Sequence, residues 1–341
     1  MMKDKKNMND ENNQGDSQEK KQAAGLLGFF QRNLNEISLL IGIFVVGAIF
    51  TSQTDTFLTT SNLINILRSA AFLGIVTWGM TLIIIAGEID VSVGPEVAFS
   101  AVLIGWLTTR NEIPLGISIV LVFVITTFIS YAGGYIRANF NIPSFVTTLA
   151  LWSIFDGLKQ VLSNNMPIPV KLGNLRIIAT GKLFEIPYPV IIALVMFLIF
   201  RYIAKNTVYG RSIYAVGGNA KAAYASGINV NWIRSSIFAI NGFLAAFTGL
   251  LQVMRLGTST GAVGDGLEFS AIAAVVIGGA SLSGGRGTML GSLIGVIFTT
   301  VISNGLVLIG VNSQAQNIFR GILILVAVLM NVVFKKENND I

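Results

Sequence analysis

The chain has 341 residues, 53% of them hydrophobic and only 12% charged, too few polar side chains to cover a water-facing surface, so it reads as a polytopic membrane protein. It has no cysteine, which excludes disulfide and thiol chemistry, and no histidine, which excludes imidazole acid–base work and His-ligated metal sites. The net charge of +6 is, in such a chain, an orientation signal on cytoplasmic loops rather than a nucleic-acid footprint.

Residues 1–33 are rich in Lys, Asp, Glu, Asn and Gln, and carry too little apolar surface to offset the entropy of ordering them; a disordered cytoplasmic tail is expected. Within it, 26–30 (LLGFF) is too short for the apolar core of a signal peptide, and a brief interfacial helix is the expectation. Apolar runs then recur at lengths suited to helices crossing roughly 30 Å of hydrocarbon. They fall at 37–57, 63–86, 93–108, 115–136, 143–162, 188–205, 235–255, 268–277, 288–309 and 318–334, about ten transmembrane helices in an all-α chain. The third and eighth are short, which predicts broken or tilted helices there.

With the N-terminus inside, Lys and Arg gather in 3–32, at Arg137, in 201–234, at Arg286 and in 335–336 on the cytoplasmic side. The outer side keeps Arg110, Lys171, Arg176, Lys182 and Arg255. This bias predicts both termini inside, a membrane domain over 34–335 and a short cytoplasmic tail over 336–341. Two long polar connections follow, 163–187 outside and 206–233 inside. The inner one holds 219–225, which starts at a capping Asn219 and closes at Gly227, so a small helix on the cytoplasmic face is predicted.

The chain also resembles itself at an offset of 170 residues. Gly79 matches Gly249, Gly87 matches Gly257, Gly94 matches Gly264 and Phe99 matches Phe269, so that VGPEVAFSAV aligns with VGDGLEFSAI. The offset relates the junction of spans two and three to that of spans seven and eight. Five spans is an odd number, so the two halves are inverted, the arrangement in which transporters build a pathway from interrupted helices. Glu88, Asp90 and Glu96 of one half, and Asp265 and Glu268 of the other, would face that interface or its mouths.

Glu88 and Asp90 sit where a long apolar run stops, at a place where an ionisable group costs about 2.5–3.5 kcal/mol. Two residues apart on a helix they point to different faces and no third ligand accompanies them, so neither metal binding nor acid–base catalysis is expected. Asp90 or Ser92 could cap the helix entering span three, which is compatible with lining a pathway. Arg68 would pair with a carboxylate or snorkel. The run 278–287 (GGASLSGGRG) lacks the Lys-Ser/Thr of a nucleotide P-loop, and its glycines read as a tight turn with close helix approach.

Four motifs carry a resemblance: 87–94 (GEIDVSVG), 209–228 (YGRSIYAVGGNAKAAYASGI), 266–288 (GLEFSAIAAVVIGGASLSGGRGT) and 304–311 (NGLVLIGV). In this order they resemble the permease subunits of bacterial ABC importers of the ribose type, a group that includes xylose, galactose and autoinducer-2 systems. The resemblance covers most of the chain from residue 63 onward. It implies a helical architecture like that of the vitamin B12 importer, and a non-catalytic subunit of the cytoplasmic (inner) membrane without a cofactor. It implies as partners a second permease copy or homologue in a dimer, a cytoplasmic ATP-binding-cassette ATPase and an extracytoplasmic sugar-binding protein. Carried onto this chain, the element that docks in the ATPase is Gly217, Gly218, Asn219, Ala222, Ala223, Ser226 and Gly227. Ala220 and Lys221 stand where the family often has acidic residues, and Pro95 where a small polar residue is more usual.

The mechanism so implied is alternating access, with ATP-driven closure of the cassettes transmitted to the spans and a monosaccharide, a pentose such as ribose or xylose, crossing a central route. A neutral sugar needs hydrogen-bonding groups and weak binding, which selects Thr147, Thr148, Asn241 and Asn304 beside Glu88, Asp90 and Ser92. Interhelical hydrogen bonds account for each Thr and Asn equally well. The rival reading is an ion-coupled secondary transporter using Glu88, Asp90 and Asp156.

Overall fold

The computed structural model describes residues 34–337, so the expected tail over 1–33, the helix at 26–30 and the last four residues lie outside the described part. Thirteen α-helices make up most of the described part. They are α1 (Leu34–Gln53), α2 (Thr60–Ile85), α3 (Val93–Gly105), α4 (Leu115–Phe140), α5 (Ser144–Ser163), α6 (Ile177–Thr180) and α7 (Tyr188–Asn206). There follow α8 (Val208–Gly218), α9 (Ala220–Ala225), α10 (Val230–Leu256), α11 (Leu267–Ile277), α12 (Met289–Leu308) and α13 (Ser313–Glu337). The connection after α5 carries two-residue strands: Ile168–Pro169 pairs with Thr258–Ser259, and Lys182–Leu183 with Ile186–Pro187.

A helix stands at each of the ten places where the apolar runs predict one. Six of them, α1, α2, α4, α7, α10 and α12, are long and apolar enough to cross a bilayer by length and composition. Three of the others fall short for visible reasons. At 13 and 11 residues, α3 and α11 reach only part of the way, and α5 carries Asp156 and Lys159.

The apolar window of α2 is 83% buried and that of α10 72%, against 6% for α1, which puts α2 and α10 at the centre. This suits α2, which is apolar all round between Ala70 and Ala86. The periphery exposes Phe44, Val124, Phe128, Leu198 and Ile322, an apolar coat that water would not tolerate.

The 170-residue offset recurs in the architecture. Thr60 and Val230, Val93 and Leu267, Leu115 and Met289, and Ser144 and Ser313 open corresponding helices, at offsets of 170, 174, 174 and 169. The packing repeats as well: α10 lies against α3 and α4 as α2 lies against α11 and α12, and α5 packs on α3 as α13 packs on α11. Glu88, just past α2, meets Arg234 near the start of α10, whereas Gly79, further back in α2, packs against Asn241 and Leu244 further along α10. The two corresponding helices therefore run antiparallel. Gly94 and Gly264, equivalent in the offset, touch backbone to backbone, and a Cβ on either would overlap the carbonyl oxygen of the other. Contact between equivalent residues is what a local two-fold axis produces.

Candidate translocation core and coupling site

The chain between α2 and α3 is unwound from Gly87 to Val91. Unwound backbone at membrane depth must find hydrogen-bond partners in the protein. Here α5 supplies them. Ile89 N–H donates to Ser144 Oγ (3.1 Å), Val91 N–H to Thr148 Oγ1 (3.3 Å), and the Thr148 hydroxyl lies 3.3 Å from the Ile89 carbonyl. Thr148 thus supports the break from behind. Thr147, half-buried beside it, has a buried hydroxyl without a partner among the described residues.

Asp90 is 1% exposed and spent internally. Its Oδ1 accepts from Ser92 N–H (2.8 Å) and Ser92 Oγ (2.6 Å), and its Oδ2 from Asn241 Nδ2 (2.7 Å) on α10. Ser92 stands at the N-cap of α3 but makes no side-chain cap bond, contrary to one of the two capping alternatives. The reason is local: Ser92 has helical φ/ψ of −83° and −15°, and the third helical residue is Pro95, which has no N–H to receive a cap. Its hydroxyl turns to Asp90 instead.

Glu88 is also 1% exposed and holds two arginines. Arg137 Nε, at the end of α4, donates to Oε2 at 2.7 Å; Arg234 Nε, on α10, lies 2.7 Å from Oε1, close enough for an ion pair but off the line of a hydrogen bond. Glu88 thereby joins the break of the first half to the central helix of the second. Sequence reasoning counted both arginines as orientation charges and missed this role. Asp156 takes a different partner, Lys159 at 2.9 Å, which also reaches Asp265. Arg68 meets no carboxylate among the described residues. Its charge is felt by Arg255, whose guanidinium lies 5.4 Å from the Phe72 ring centre.

Asn304 is placed far from this break. It forms a reciprocal amide pair with Asn62 at 2.9 and 2.8 Å, tying α12 to α2. Glu96 is fully buried, hydrogen-bonded to Ser130 of α4 through one oxygen and, among the described residues, unpartnered at the other.

The predicted small helix is α9. Asn219 Oδ1 accepts from Ala222 N–H (3.0 Å), and Gly227, at φ +84°, closes it with a bond from its N–H to the Tyr224 carbonyl (2.9 Å). Ala222, Tyr224, Ser226 and Gly227 are exposed while Ala223 points inward at 4% exposure. A cleft of about 570 Å³ adjoins it, lined by Tyr224, Ile228 and Asn231 among others.

Just before α9, Gly217 meets two other glycine-rich segments. Gly285 N–H donates to the Ile85 carbonyl at the end of α2 (2.8 Å), and a Cβ on Gly284 would lie 2.6 Å from the Gly217 carbonyl oxygen and 2.8 Å from Gly87 Cα. Tyr214 Oη, on α8, donates to the Gly287 carbonyl (2.8 Å). The turn at 278–287 is therefore the close approach its glycines predict, and it clamps the α8–α9 element to the break that carries Glu88 and Asp90.

Residues 62–328 match the family model described as the permease component of the branched-chain amino acid transport system. The chain is 44% identical to the probable ABC transporter permease protein YphD of Escherichia coli over 93% of this chain and 95% of that one. It is 35% identical to the ribose import permease protein RbsC of Bacillus subtilis (89% and 94% covered), and 33% identical to the galactose/methyl galactoside import permease MglC of Escherichia coli (89% and 95%). No solved structure is significantly similar to it. The chain belongs to the permease family of bacterial ABC transporters in which the ribose, xylose and galactose import permeases are found.

Proposed function

We propose that the chain is the membrane-spanning subunit of an ATP-binding-cassette importer, carrying a monosaccharide inward across the cytoplasmic membrane, with a pentose such as ribose or xylose as cargo. The observation that carries this reading is the clamp of Gly217 against Gly87 and Gly284, which joins an exposed capped helix to the core break. An ATPase docked on Asn219, Ala222 and Ser226 would move α9, and the shared backbone contacts would pass that motion to α2 and the Glu88 ion cluster. The sugar assignment rests on the relatives whose names carry one, at 30–36% identity over 87–89% of this chain.

In this reading the ten helices that answer the apolar runs form the membrane domain as two inverted halves, from 34 to 335, with α3 and α11 as partial crossings. The connection at 206–233 and both termini are cytoplasmic, and two permease copies or homologues form a dimer. A separate ATPase supplies the energy, and an extracytoplasmic sugar-binding protein supplies the cargo and most of the selectivity. The ion-coupled alternative loses ground because Glu88, Asp90 and Asp156 are each held by separate partners.

The test is ATP turnover by the complex of this permease with its ATPase in nanodiscs. Sugar-loaded binding protein should stimulate hydrolysis. No stimulation by any loaded binding protein would remove the importer reading.

A further inference from the structure

A buried carboxylate and a half-buried guanidinium are left half-used where α11 meets α13, beside Trp152 of α5. Glu268, in the first turn of α11, is 3% exposed; its Oε2 has no hydrogen-bond partner among the described residues and lies against Gly94 at the start of α3. Its Oε1 is 3.5 Å from the indole Nε1 of Trp152 on α5. Arg320, on α13, donates to Asn317 Oδ1 (3.2 Å) and packs against Gly266, one residue before α11, while its Nε is buried without a partner among the described residues. Arg320 thus sits two residues from Glu268 along α11, yet no carboxylate oxygen of Glu268 comes within 4.0 Å of an Arg320 nitrogen.

In a membrane interior an acid and a guanidinium so placed gain by closing into contact, because each unpaired charge is costly. Here the acceptor and the donor stay apart, with an indole beside the acceptor. That combination fits a polyol: hydroxyls donate to a carboxylate oxygen and accept from a guanidinium, and an aromatic face covers the C–H surface of the ring. We propose that Glu268, Arg320 and Trp152 form a sugar-hydroxyl subsite, a waystation that holds the cargo briefly on its route past the contact between Gly94 and Gly264. This rests on the reading of the chain as a sugar permease.

The test uses the full-length chain in proteoliposomes with its ATPase and loaded binding protein, with D-ribose, D-xylose and D-galactose as probes. Glu268→Gln and Arg320→Gln should each lower sugar uptake by about tenfold or more, the size of a lost charged hydrogen bond, while stimulated ATP hydrolysis stays within about twofold of wild type. The transported sugar, titrated to about 100 mM to reach weak binding, should change tryptophan emission in the wild type and not in Trp152→Phe. Wild-type uptake in both charge variants overturns the subsite. So does an emission unaffected by the sugar, or a change that survives Trp152→Phe. The emission arm needs no charge variant and decides the matter if those variants fail to fold. A wild-type complex that moves none of the three sugars counts against the proposed function instead.

Discussion

Gly217 and Gly218 are neighbours at the end of α8, yet an added methyl group meets opposite surroundings at the two positions. At Gly217 it would overlap the Ile85 carbonyl oxygen and lie 2.7 Å from Gly285 N, the two atoms that form a 2.8 Å hydrogen bond. At Gly218 nothing lies within 4 Å. Gly217→Ala must therefore push the segments apart, with an overpacking cost of about 1–3 kcal/mol and the loss of one hydrogen bond at about 1 kcal/mol. The better helix propensity of alanine returns up to about 1 kcal/mol, leaving a net destabilisation of about 1–3 kcal/mol. Gly218→Ala keeps only the favourable part, up to about 1 kcal/mol. The two variants should differ by about 2–4 kcal/mol in denaturant titrations of the nanodisc-embedded chain. Gly217→Ala should also lose coupling between ATP hydrolysis and uptake, because the displaced backbone belongs to the clamp between α9 and the break. Equal stability and equal coupling in the two variants would refute the close approach and the route of transmission drawn from it.

Further outcomes follow from the same contacts. Arg234→Ala leaves part of the buried Glu88 charge uncompensated and should destabilise the chain by about 3–5 kcal/mol; a loss under about 1 kcal/mol in the same titration would mean that the pair is dispensable. Ala222→Glu changes an exposed position on α9 and should abolish co-purification of the ATPase without altering membrane insertion; full recovery of the ATPase would contradict the docking assignment. Asn62→Ala, Asn304→Ala and the double variant should show a coupling energy of about 0.5–2 kcal/mol for the reciprocal pair. If Asn304→Ala instead abolishes uptake at unchanged stability, Asn304 lines the route after all.

Much of the fold was legible because its signals are local. Apolar run lengths place the helices, Gly87 and Gly257 mark the ends of α2 and α10, and Asn219 with Gly227 brackets α9. The repeat was legible because Gly94 and Gly264 are required by backbone contact, so the same residue type stands at both positions. The partners inside the core were hidden for a physical reason. A helix such as α2, apolar on every side, has no periodic face to say which neighbour it meets, and Asn62 finds Asn304 across 242 residues. Arg137 and Arg234 carried two meanings at once, since an arginine near a helix end serves as an orientation charge whether or not it also reaches Glu88. Ser92 matches the cap pattern by residue type, but its helical backbone and Pro95, which has no N–H, leave it no cap bond to make.

The most direct measurement is sugar uptake into proteoliposomes that contain this chain alone or with its ATPase, with the loaded binding protein outside. Uptake that requires both the ATPase and internal ATP, and ignores imposed proton and sodium gradients, is the predicted result. Uptake driven by an ion gradient in vesicles without the ATPase would contradict the account at its centre.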